Sequence, residues 1–474
     1  MGVSPLATRL LPFAFARDGH VLVVAQHPEA TEVWVCDDTR PEALAEIGRV
    51  YGLLRLRHQS VEVLQAALSR AYAANDGGAA QVMGEVEEEI DLSRLMQDLP
   101  AVEDLLESRD DAPIIRMINA LLTQAAREGA SDIHIEPAEQ SLVVRFRVDG
   151  TLRDVVRPKK ALHAALISRI KIMAQLDIAE KRLPQDGRIA LRVAGRPVDV
   201  RVSTLPTGYG ERAVLRLLDK EVGRLNLSRL GMAEDTLAHF DRLIHRPHGI
   251  VLVTGPTGSG KTTTLYAALS RLDSLTTNVM TVEDPIEYHL DGIGQTQVNP
   301  RIELTFAKAL RAILRQDPDV IMIGEIRDAE TAQIAVQASL TGHLVLATLH
   351  TNDAVSAATR LIDMGIEPYL LASSLLGVLS QRLMRRCCSV CGGPDHAAAC
   401  NACGQSGYQG RTGVYELLEV DDGLRSRIHG RAAEADLRDL AIAQGMRTLR
   451  EDGERWVRSG MTTAEELLRV TGDL

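Results

Sequence analysis

The sequence predicts an α/β protein of several domains, and three observations support this prediction. The chain has 474 residues, of which 45% are hydrophobic and 25% are charged. This composition is globular, and the length exceeds what one hydrophobic core organises, so roughly two to four domains are expected. An apolar run at 249–254 leads into the letters GPTGSGKT and then into a helical pattern, which indicates a strand, a phosphate-binding loop and a helix. Two Cys-x-x-Cys pairs further along predict a small metal-binding excursion.

Net charge and hydropathy argue against two broad classes of protein. Lys plus Arg number 53 and Asp plus Glu number 64, which gives a net charge of −11. This balance argues against a protein that coats nucleic acid through overall basicity. The longest apolar stretches fall well short of the roughly 18 residues that a membrane-spanning helix needs, so no transmembrane span is predicted.

The first 80 residues predict a small mixed domain without a catalytic motif. Its strand and helix patterns lie at 20–26, at 32–36, from 41 onwards and over 61–74. The apolar run at 10–16 contains a proline and lacks a strongly basic flank, so we interpret it as buried structure rather than a signal peptide. Cys36 is interpreted as a buried thiol.

Acidic residues dominate the next segment, 81–111. Residues 85–111 hold eleven acidic side chains against two arginines, a net charge of −9. We interpret this segment as a flexible, solvated linker. A specific docking site for a basic partner is the less favoured alternative.

The following domain, 112–222, alternates helical and strand patterns and is basic. Its strands are predicted at 132–136, 142–148, 188–193 and 197–203. Residues 141–220 hold 17 basic against 8 acidic side chains, a net charge of +9. Such basic strands could line an anionic pocket, track nucleic acid or form the hydrated face of a sheet. Aromatic residues make up only 3% of the chain, which disfavours a surface for single-stranded nucleic acid.

The phosphate-binding loop follows a short linker at 223–235. Its glycines let backbone N–H groups converge on phosphate oxygens, and the next helix adds positive charge at its N-terminus. Lys261 is expected to reach the β- and γ-phosphates of a nucleoside triphosphate, and the Thr262 hydroxyl can bind Mg²⁺. The predicted nucleotide-binding residues here are Gly255, Pro256, Thr257, Gly258, Ser259, Gly260, Lys261, Thr262 and Thr263.

Two further strand ends supply carboxylates. The apolar run 320–323 ends in Gly324 and Glu325, with glycine where the usual magnesium-binding aspartate stands. Glu325 is therefore expected to orient or deprotonate the attacking water. Glu283 ends another strand and is expected to position metal or water, although a helix cap is an alternative role. Glu325, Glu283 and Lys261 are the predicted catalytic residues.

Histidines flank a third apolar strand, at 344–349. His343 precedes this strand and His350 ends it. The strand end beside a phosphate loop favours His350 as a sensor of the γ-phosphate. A structural role is the alternative for each histidine.

Five of the six cysteines lie between residues 387 and 403. Two thiolate pairs are the usual way to build a closed tetrahedral zinc site, so a structural zinc ion is favoured over a catalytic one. Cys387 and His396 are competing ligands. The predicted zinc ligands are Cys388, Cys391, Cys400 and Cys403.

These motifs resemble those of the GspE/PilB/PilT family of secretion and pilus ATPases. The resemblance to its Asp box, Walker B and His box lies at 281–287, 315–328 and 341–353. Upstream, the resemblance to its PAS-like domain lies at 131–136, 145–150, 183–188, 201–206 and 210–212. Residues 104–120 are most similar to GspE, the type II secretion ATPase. The interval of eight residues between the cysteine pairs is shorter than the family's usual one.

The resemblance implies a domain order. The PAS-like α+β domain occupies 112–222, and a RecA-like P-loop motor occupies 236–384. The remaining parts are a partner-docking domain at 1–80, a tetracysteine zinc motif at 385–412 and a C-terminal helical subdomain at 413–474. In such ATPases the subunits form a hexamer, and ATP lies between the motor and the PAS-like domain of the same or a neighbouring subunit.

The same resemblance gives the basic domain a ligand, the phosphates of ATP. The candidates to approach these phosphates as the subunits close are Arg188, Arg201 and Arg212. The alternatives within the motor are Arg311, Arg315 and Arg327.

The function implied is a cytoplasmic, hexameric ATPase, peripheral at the inner membrane, that powers pseudopilus assembly and protein export by type II secretion. Its cofactors would be ATP, Mg²⁺ and Zn²⁺. Its partners would be the cytoplasmic domain of a GspL-like bitopic protein and a GspF-like polytopic platform, with no nucleic acid and only indirect membrane association. Alternatives are a PilB-like pilus extension ATPase, a nucleic-acid motor and an ATP-binding regulatory module without turnover.

Overall fold

The computed structural model describes residues 11, 13–27, 30–73, 113–193, 196–219 and 227–472. The chain divides into two compact units, Met1–Glu221 and Val222–Leu474. The predicted acidic linker lies outside the described residues, as do the first four residues of the linker predicted at 223–235.

The N-terminal part of the first unit forms a three-stranded sheet with three helices. Its elements are α1 (Phe13–Gly19), β1 (Val21–Gln26), β2 (Thr31–Val35), α2 (Pro41–Tyr51), β3 (Leu54–His58) and α3 (Val61–Ala73). Strand β2 lies in the centre, antiparallel to β1 and parallel to β3. The strands and helices predicted here are confirmed. Ala16 and Cys36 are buried in one apolar cluster, as predicted for the run at 10–16 and for the thiol.

A six-stranded antiparallel sheet forms the rest of the first unit. Its strands are β4 (Ala130–Pro137), β5 (Leu142–Val148), β6 (Thr151–Val156), β7 (Gln185–Val193), β8 (Arg196–Thr207) and β9 (Gly210–Asp219). Their order in the sheet is β6-β5-β4-β9-β8-β7. Helices α4 (Pro113–Arg127) and α5 (His163–Met173) share one apolar cluster with alternate residues of the strands. Because successive side chains point to opposite faces, the arginines at intervening positions share the other face, which we call the open face.

The second unit is built on a seven-stranded sheet, which we call the motor sheet. Its strands are β10 (Gly249–Thr254), β11 (Val279–Glu283), β12 (Gly294–Gln297), β13 (Val320–Ile323), β14 (Leu344–Leu349), β15 (Leu375–Cys387) and β16 (Tyr408–Glu419). Their order is β12-β11-β13-β14-β10-β15-β16, and of these described strands only β16 runs antiparallel to its neighbour.

Helices cover the two faces of the motor sheet. They are α6 (Glu234–Ile244), α7 (Lys261–Leu269), α8 (Phe306–Ile313), α9 (Ala329–Leu340), α10 (Val355–Asp363), α11 (Pro368–Ser374), α12 (Asp422–His429), α13 (Glu434–Ala443), α14 (Leu449–Arg458) and α15 (Ala464–Thr471). Ile250 and Leu252 of β10 pack into one core cluster, whereas Val251 and Val253 pack into another. Burial on both faces explains why these strands read as continuous apolar runs.

Strands β15 and β16 extend the motor sheet beyond the region in which strands were predicted. Residues 375–387 alternate less regularly in polarity, and residues 408–419 begin with polar and glycine positions, so neither gave a strand signal. Residues 413–419, placed by prediction at the start of the helical subdomain, belong to β16 instead. The register of β16 opposite β15 runs from Gly377↔Glu419 to Cys387↔Tyr408, and β15 in turn pairs with β10. None of the helices in the described ranges combines the length and the hydrophobicity that a membrane span requires.

Candidate functional site

The phosphate loop connects β10 to α7, as the sequence predicted. Gly260 caps α7 with a positive φ of 89°, a backbone conformation that glycine adopts without steric cost. A Cβ atom at Gly255 would lie 2.4 Å from the backbone carbonyl oxygen of Gln381, so a side chain has no space there. Ser259 is buried, whereas Thr257 and Gly258 are exposed. The loop therefore rests on β15 on one side and presents its tip to solvent on the other.

Lys261 is the first residue of α7 and is buried. Its ammonium group donates to the carbonyl oxygens of Gly255 at 2.8 Å and Pro256 at 3.1 Å. Burial lowers the pKa of Lys261 to about 8, and the nearby negative charge of Glu325 partly opposes this shift. Thr262, the predicted magnesium ligand, follows in the first turn and is half-buried.

Glu325 lies at the carboxyl edge of the motor sheet, just after β13. Its carboxylate pairs with the guanidinium of Arg327, and His350 Nε2 lies 3.5 Å away. Arg327 also faces Asp284 at 3.8 Å, and its pKa is raised, chiefly by the hydrogen bond to Glu325. Since the carboxyl ends of parallel strands meet at one edge, β11, β13 and β14 bring these four residues together.

The two histidines differ in their surroundings. His350, at the carboxyl end of β14, joins the cluster around Glu325. His343, at the opposite end of this strand, has Nδ1 within 2.9 Å of the carbonyl oxygen of Ala338 and 3.3 Å of the Thr341 hydroxyl. Only His350 therefore lies near the predicted phosphate site.

Glu283 ends β11 and is buried, with both carboxylate oxygens hydrogen-bonded. One oxygen accepts from the Thr281 hydroxyl at 2.5 Å and from Gln295 Nε2 at 3.1 Å. The other accepts from the hydroxyl of Tyr266, a residue of α7. Burial and this hydrogen bond raise the pKa of Tyr266. The carboxylate thus connects the helix of the phosphate loop to the neighbouring strand, a network that the sequence did not reveal.

Arginines on the open face of the six-stranded sheet form a row across the strands. Arg188 of β7 stands opposite Arg201 of β8, which stands opposite Arg216 of β9. Arg216 Nε pairs with buried Asp132 of β4 at 2.8 Å. This row brings together two of the three arginines that were predicted to approach the nucleotide.

The third predicted arginine, Arg212, belongs to a neighbouring cluster on the same face. Its guanidinium lies 2.6 Å from Glu136 and 3.1 Å from His134 Nδ1. Arg145 pairs with the same glutamate at 2.5 Å. Burial lowers the pKa of His134, so the imidazole is favoured in its neutral form there.

The motor arginines named as alternatives lie in different places. Arg311 pairs with Glu330 at 2.6 Å, and Arg315 donates to the carbonyl oxygen of Arg311 at 2.7 Å. Arg327 is the one of these three that contacts Glu325.

The four predicted zinc ligands lie in the excursion between β15 and β16. The sulfur atoms of Cys388, Cys391, Cys400 and Cys403 all lie within 4.8 Å of one another. The Cys388–Cys400 and Cys391–Cys403 separations are 3.9 and 3.8 Å, and all four thiols are free. Tetrahedral zinc with Zn–S bonds of about 2.3 Å separates its sulfurs by about 3.8 Å, so the donor set fits zinc.

The competing ligands are outside this cluster of four. Cys387 ends β15 in the rung opposite Tyr408, and its backbone N–H donates to the carbonyl oxygen of Met461. Burial raises the pKa of Cys387. His396 lies in a short 3-10 helix, Pro394–Ala399, that fills most of the interval between the cysteine pairs.

Two family models match the chain. The type II/IV secretion system protein model matches residues 107–469. A model of an N-terminal domain of GSPII protein E matches residues 10–72. Together they cover both described units of the chain.

Several relatives are similar over nearly the full length. The type II secretion system protein HxcR of Pseudomonas aeruginosa is 65% identical over 98% of this chain and 99% of its own. Type II secretion system protein E of Dickeya dadantii is 54% identical over 99% and 98% of the two chains. The type II secretion system ATPase E of Vibrio cholerae is 52% identical over 99% of both.

Solved structures share the fold. The pilus retraction motor PilT with bound ADP is 29% identical, with a TM-score of 0.54 over 74% of this chain and 95% of its own. The ATPase DotB of Legionella pneumophila has a TM-score of 0.59 over 78% and 97% of the two chains, and at 22% identity it supports the fold alone. The predicted fold class is thus confirmed. Sequence and fold together show that the chain belongs to the type II secretion ATPase family, the GspE family, and is an ATP-hydrolysing enzyme.

Proposed function

We propose that this chain is the hexameric motor that hydrolyses ATP to power pseudopilus assembly and protein export by a type II secretion system. The observation that carries the proposal is the meeting of Glu325, Arg327 and His350 at the carboxyl edge of the motor sheet, with the charge of Glu325 acting on Lys261. The high identity to type II secretion proteins favours secretion over a pilus role.

Lys261 binds the phosphates in this mechanism. Its ammonium group now donates to two loop carbonyls, which are neutral acceptors. Charged phosphate oxygens are stronger acceptors, so ATP draws the ammonium group away from the carbonyls and towards the β- and γ-phosphates. The phosphate charge also favours the protonated lysine and so offsets the effect of burial.

Glu325 orients the attacking water and accepts its proton. Arg327 holds this carboxylate before reaction, and His350 stands beside it. A γ-phosphate competes with Glu325 for the Arg327 guanidinium, because guanidinium binds phosphate and carboxylate oxygens alike and the phosphate carries more negative charge. Binding of ATP thus frees the carboxylate to act on water at the moment when the phosphate is in place.

Glu283 supports the site through α7 rather than through a free carboxylate. Its oxygens accept from Tyr266, Thr281 and Gln295, and the residue is buried, so water or metal would have to enter an enclosed site to reach it. Thr262, half-buried in the first turn of α7, would hold Mg²⁺ through its hydroxyl. When bound, Mg²⁺ neutralises phosphate charge.

Zinc would hold the excursion between β15 and β16 together. A closed set of four thiolates leaves no open coordination position, so the ion supplies stability and not catalysis. Binding by Cys388, Cys391, Cys400 and Cys403 would contribute directly to the folding of this segment.

Arg188, Arg201 and Arg212 would act on the ATP bound by a neighbouring motor domain. They share the open face of a sheet with a dense positive charge, which suits the triphosphate. Arg201 stands between Arg188 and Arg216 on this face, and Arg216 pairs with buried Asp132.

The partners proposed are the cytoplasmic domain of a GspL-like bitopic protein, bound by residues 1–80, and a GspF-like platform protein. The test uses the full chain with the bitopic partner's cytoplasmic domain from the same secretion operon. We expect a stable complex on size exclusion and, with a non-hydrolysable ATP analogue, a light-scattering mass of six chains. Failure to bind, or a mass of one or two chains under every nucleotide condition, would contradict the proposal. Stimulation of turnover by DNA or RNA would support the nucleic-acid motor instead.

A further inference from the structure

Gln381 of β15 is a buried residue whose side-chain amide contacts the phosphate loop on the side that faces β15. The residue is 1% exposed, and its Nε2 donates to the carbonyl oxygen of Ser259 at 2.6 Å. Its backbone carbonyl oxygen is the atom that leaves no space for a side chain at Gly255. One residue of β15 therefore contacts the loop both at its beginning and near its end.

The hydrogen bond to Ser259 fixes the direction of one peptide group. In a trans peptide the C=O and the N–H point in opposite directions. With the Ser259 carbonyl directed at the Gln381 amide, the N–H of Gly260, which directly precedes α7, points away from that amide. Backbone N–H groups of this loop are the donors for phosphate oxygens.

The peptide between Ser259 and Gly260 needs such a restraint. Gly260 lacks a Cβ atom, so rotation of this peptide meets little steric resistance. A flipped peptide would direct the Ser259 carbonyl into the loop, where it would repel a phosphate. A donor from β15 prevents this rotation before the nucleotide arrives.

The amide of Gln381 is unusual in a second respect. Its Oε1 is buried and has no hydrogen-bond donor among the residues that the structure describes. A buried acceptor without a donor is unfavourable, whereas an apolar side chain of equal length would fill the same space without that penalty. Packing alone therefore does not account for glutamine at this position.

We propose that Gln381 is a positioning residue for nucleotide binding, which holds the Ser259–Gly260 peptide with its N–H directed at the phosphates of ATP. The inference rests on the nucleotide site proposed above. It adds a residue from β15, outside the loop and outside the strands that carry Glu283, Glu325 and His350.

The test replaces Gln381 with methionine, which keeps the length of the side chain and removes the donor. We expect the KM for ATP and the Kd of a fluorescent ATP analogue, mant-ATP, to rise about tenfold, with kcat within about threefold of wild type. A packing role would lower thermal stability and leave the KM of the folded enzyme unchanged. Ser380→Ala is the control, because Ser380 is a buried neighbour on the same strand.

A second variant covers the case in which methionine impairs folding. Gln381→Glu preserves the shape of the side chain but places an acceptor opposite the Ser259 carbonyl, and we expect it to raise the KM at least as much. If both folded variants bind mant-ATP within about twofold of wild type, the inference is wrong. Lys261→Ala, measured in parallel, separates the role of Gln381 from the nucleotide site on which it rests. Normal mant-ATP binding by the Lys261→Ala variant would overturn the nucleotide site itself.

Discussion

The two large sheets of this chain present functional side chains in opposite ways. The motor sheet is covered by helices on both faces, so its polar residues lie at the carboxyl ends of strands, as Glu325 and His350 do. The six-stranded sheet is covered by the described helices on one face, and Arg188 and Arg201 lie on the other. The strand ends hold a few different side chains close to one another, whereas the open face carries many side chains of the same charge.

This difference predicts different sensitivities to mutation. Groups at the strand ends act singly, so the loss of one is expected to abolish a step. Groups on the open face share one task, so the loss of one leaves others in place. Five experiments test this contrast, beginning with the variant that should lose the most activity.

The largest effect is expected for Lys261→Ala. Removing the ammonium group takes away the main positive charge at the β- and γ-phosphates, so ATP turnover should fall by at least about a thousandfold. Phosphate release in a steady-state assay measures this. Lys308→Ala is the matched control, because Lys308 is an exposed lysine that pairs with Glu303. Turnover at the wild-type rate in the Lys261→Ala variant would show that Lys261 is not part of the catalytic site.

Glu325→Gln should separate binding from hydrolysis. The amide keeps the shape but cannot accept a proton, so kcat should fall by about a hundredfold to a thousandfold. The Kd of ATP should stay within about threefold, since the phosphates are held by the loop. Glu303→Gln, at an exposed position, is the control. An unchanged kcat would show that Glu325 is not the residue that activates water.

Arg201→Ala tests the open face. Turnover should fall by about tenfold to a hundredfold, less than for the strand-end residues, because Arg188 and Arg212 remain. Arg182, an exposed arginine of the same unit that pairs with Glu180, provides the control.

Mixing subunits tests whether Arg201 acts on a neighbour. If it does, mixed hexamers of Arg201→Ala and Lys261→Ala contain some interfaces with both residues intact, and activity should exceed that of either variant alone. Activity that stays at the sum of the two would mean that the arginine acts within its own subunit. If turnover of the Arg201→Ala variant by itself fell as far as that of Lys261→Ala, the proposed difference between the two sheets would be wrong.

The smallest effect is a pH dependence of nucleotide affinity. The pKa of Lys261 is lowered to about 8, so the charged form that binds phosphate is lost above that pH in the free enzyme. Affinity for mant-ATP should be about tenfold weaker at pH 9 than at pH 7. The contribution of Lys261 to folding stability changes with pH in the opposite direction to the affinity. Because its folded pKa lies below the ordinary value of 10.5, its unfavourable contribution is relieved as pH rises from about 8 to 10.5.

An affinity that is flat from about pH 7 to 9 would mean that Lys261 stays charged throughout. A fall in both affinity and thermal stability would instead indicate unfolding. Melting temperatures measured at the same pH values distinguish these outcomes.

Much of the motor could be predicted because its signals are local. The strands β10, β13 and β14 are continuous apolar runs, and the loop from Gly255 to Thr262 has a fixed spacing. The cysteine pairs likewise predicted a cluster whose sulfurs do come together. Strands β15 and β16 were missed because β15 is enclosed by pairing with β10 and β16, and β16 joins the sheet only across the cysteine excursion, which no local pattern reveals.

Residue types and their spacing specify the chemical groups of this protein: an ammonium group and a hydroxyl in a glycine loop, carboxylates at strand ends and four thiols in two pairs. Tertiary structure decided how these groups meet. It paired Glu325 with Arg327 and His350, enclosed Glu283 with Tyr266 and set Gln381 beneath the loop. The physical reason is that residue type and spacing fix which bonds a group can make, whereas its actual partners come from strands that only the folded sheet brings side by side.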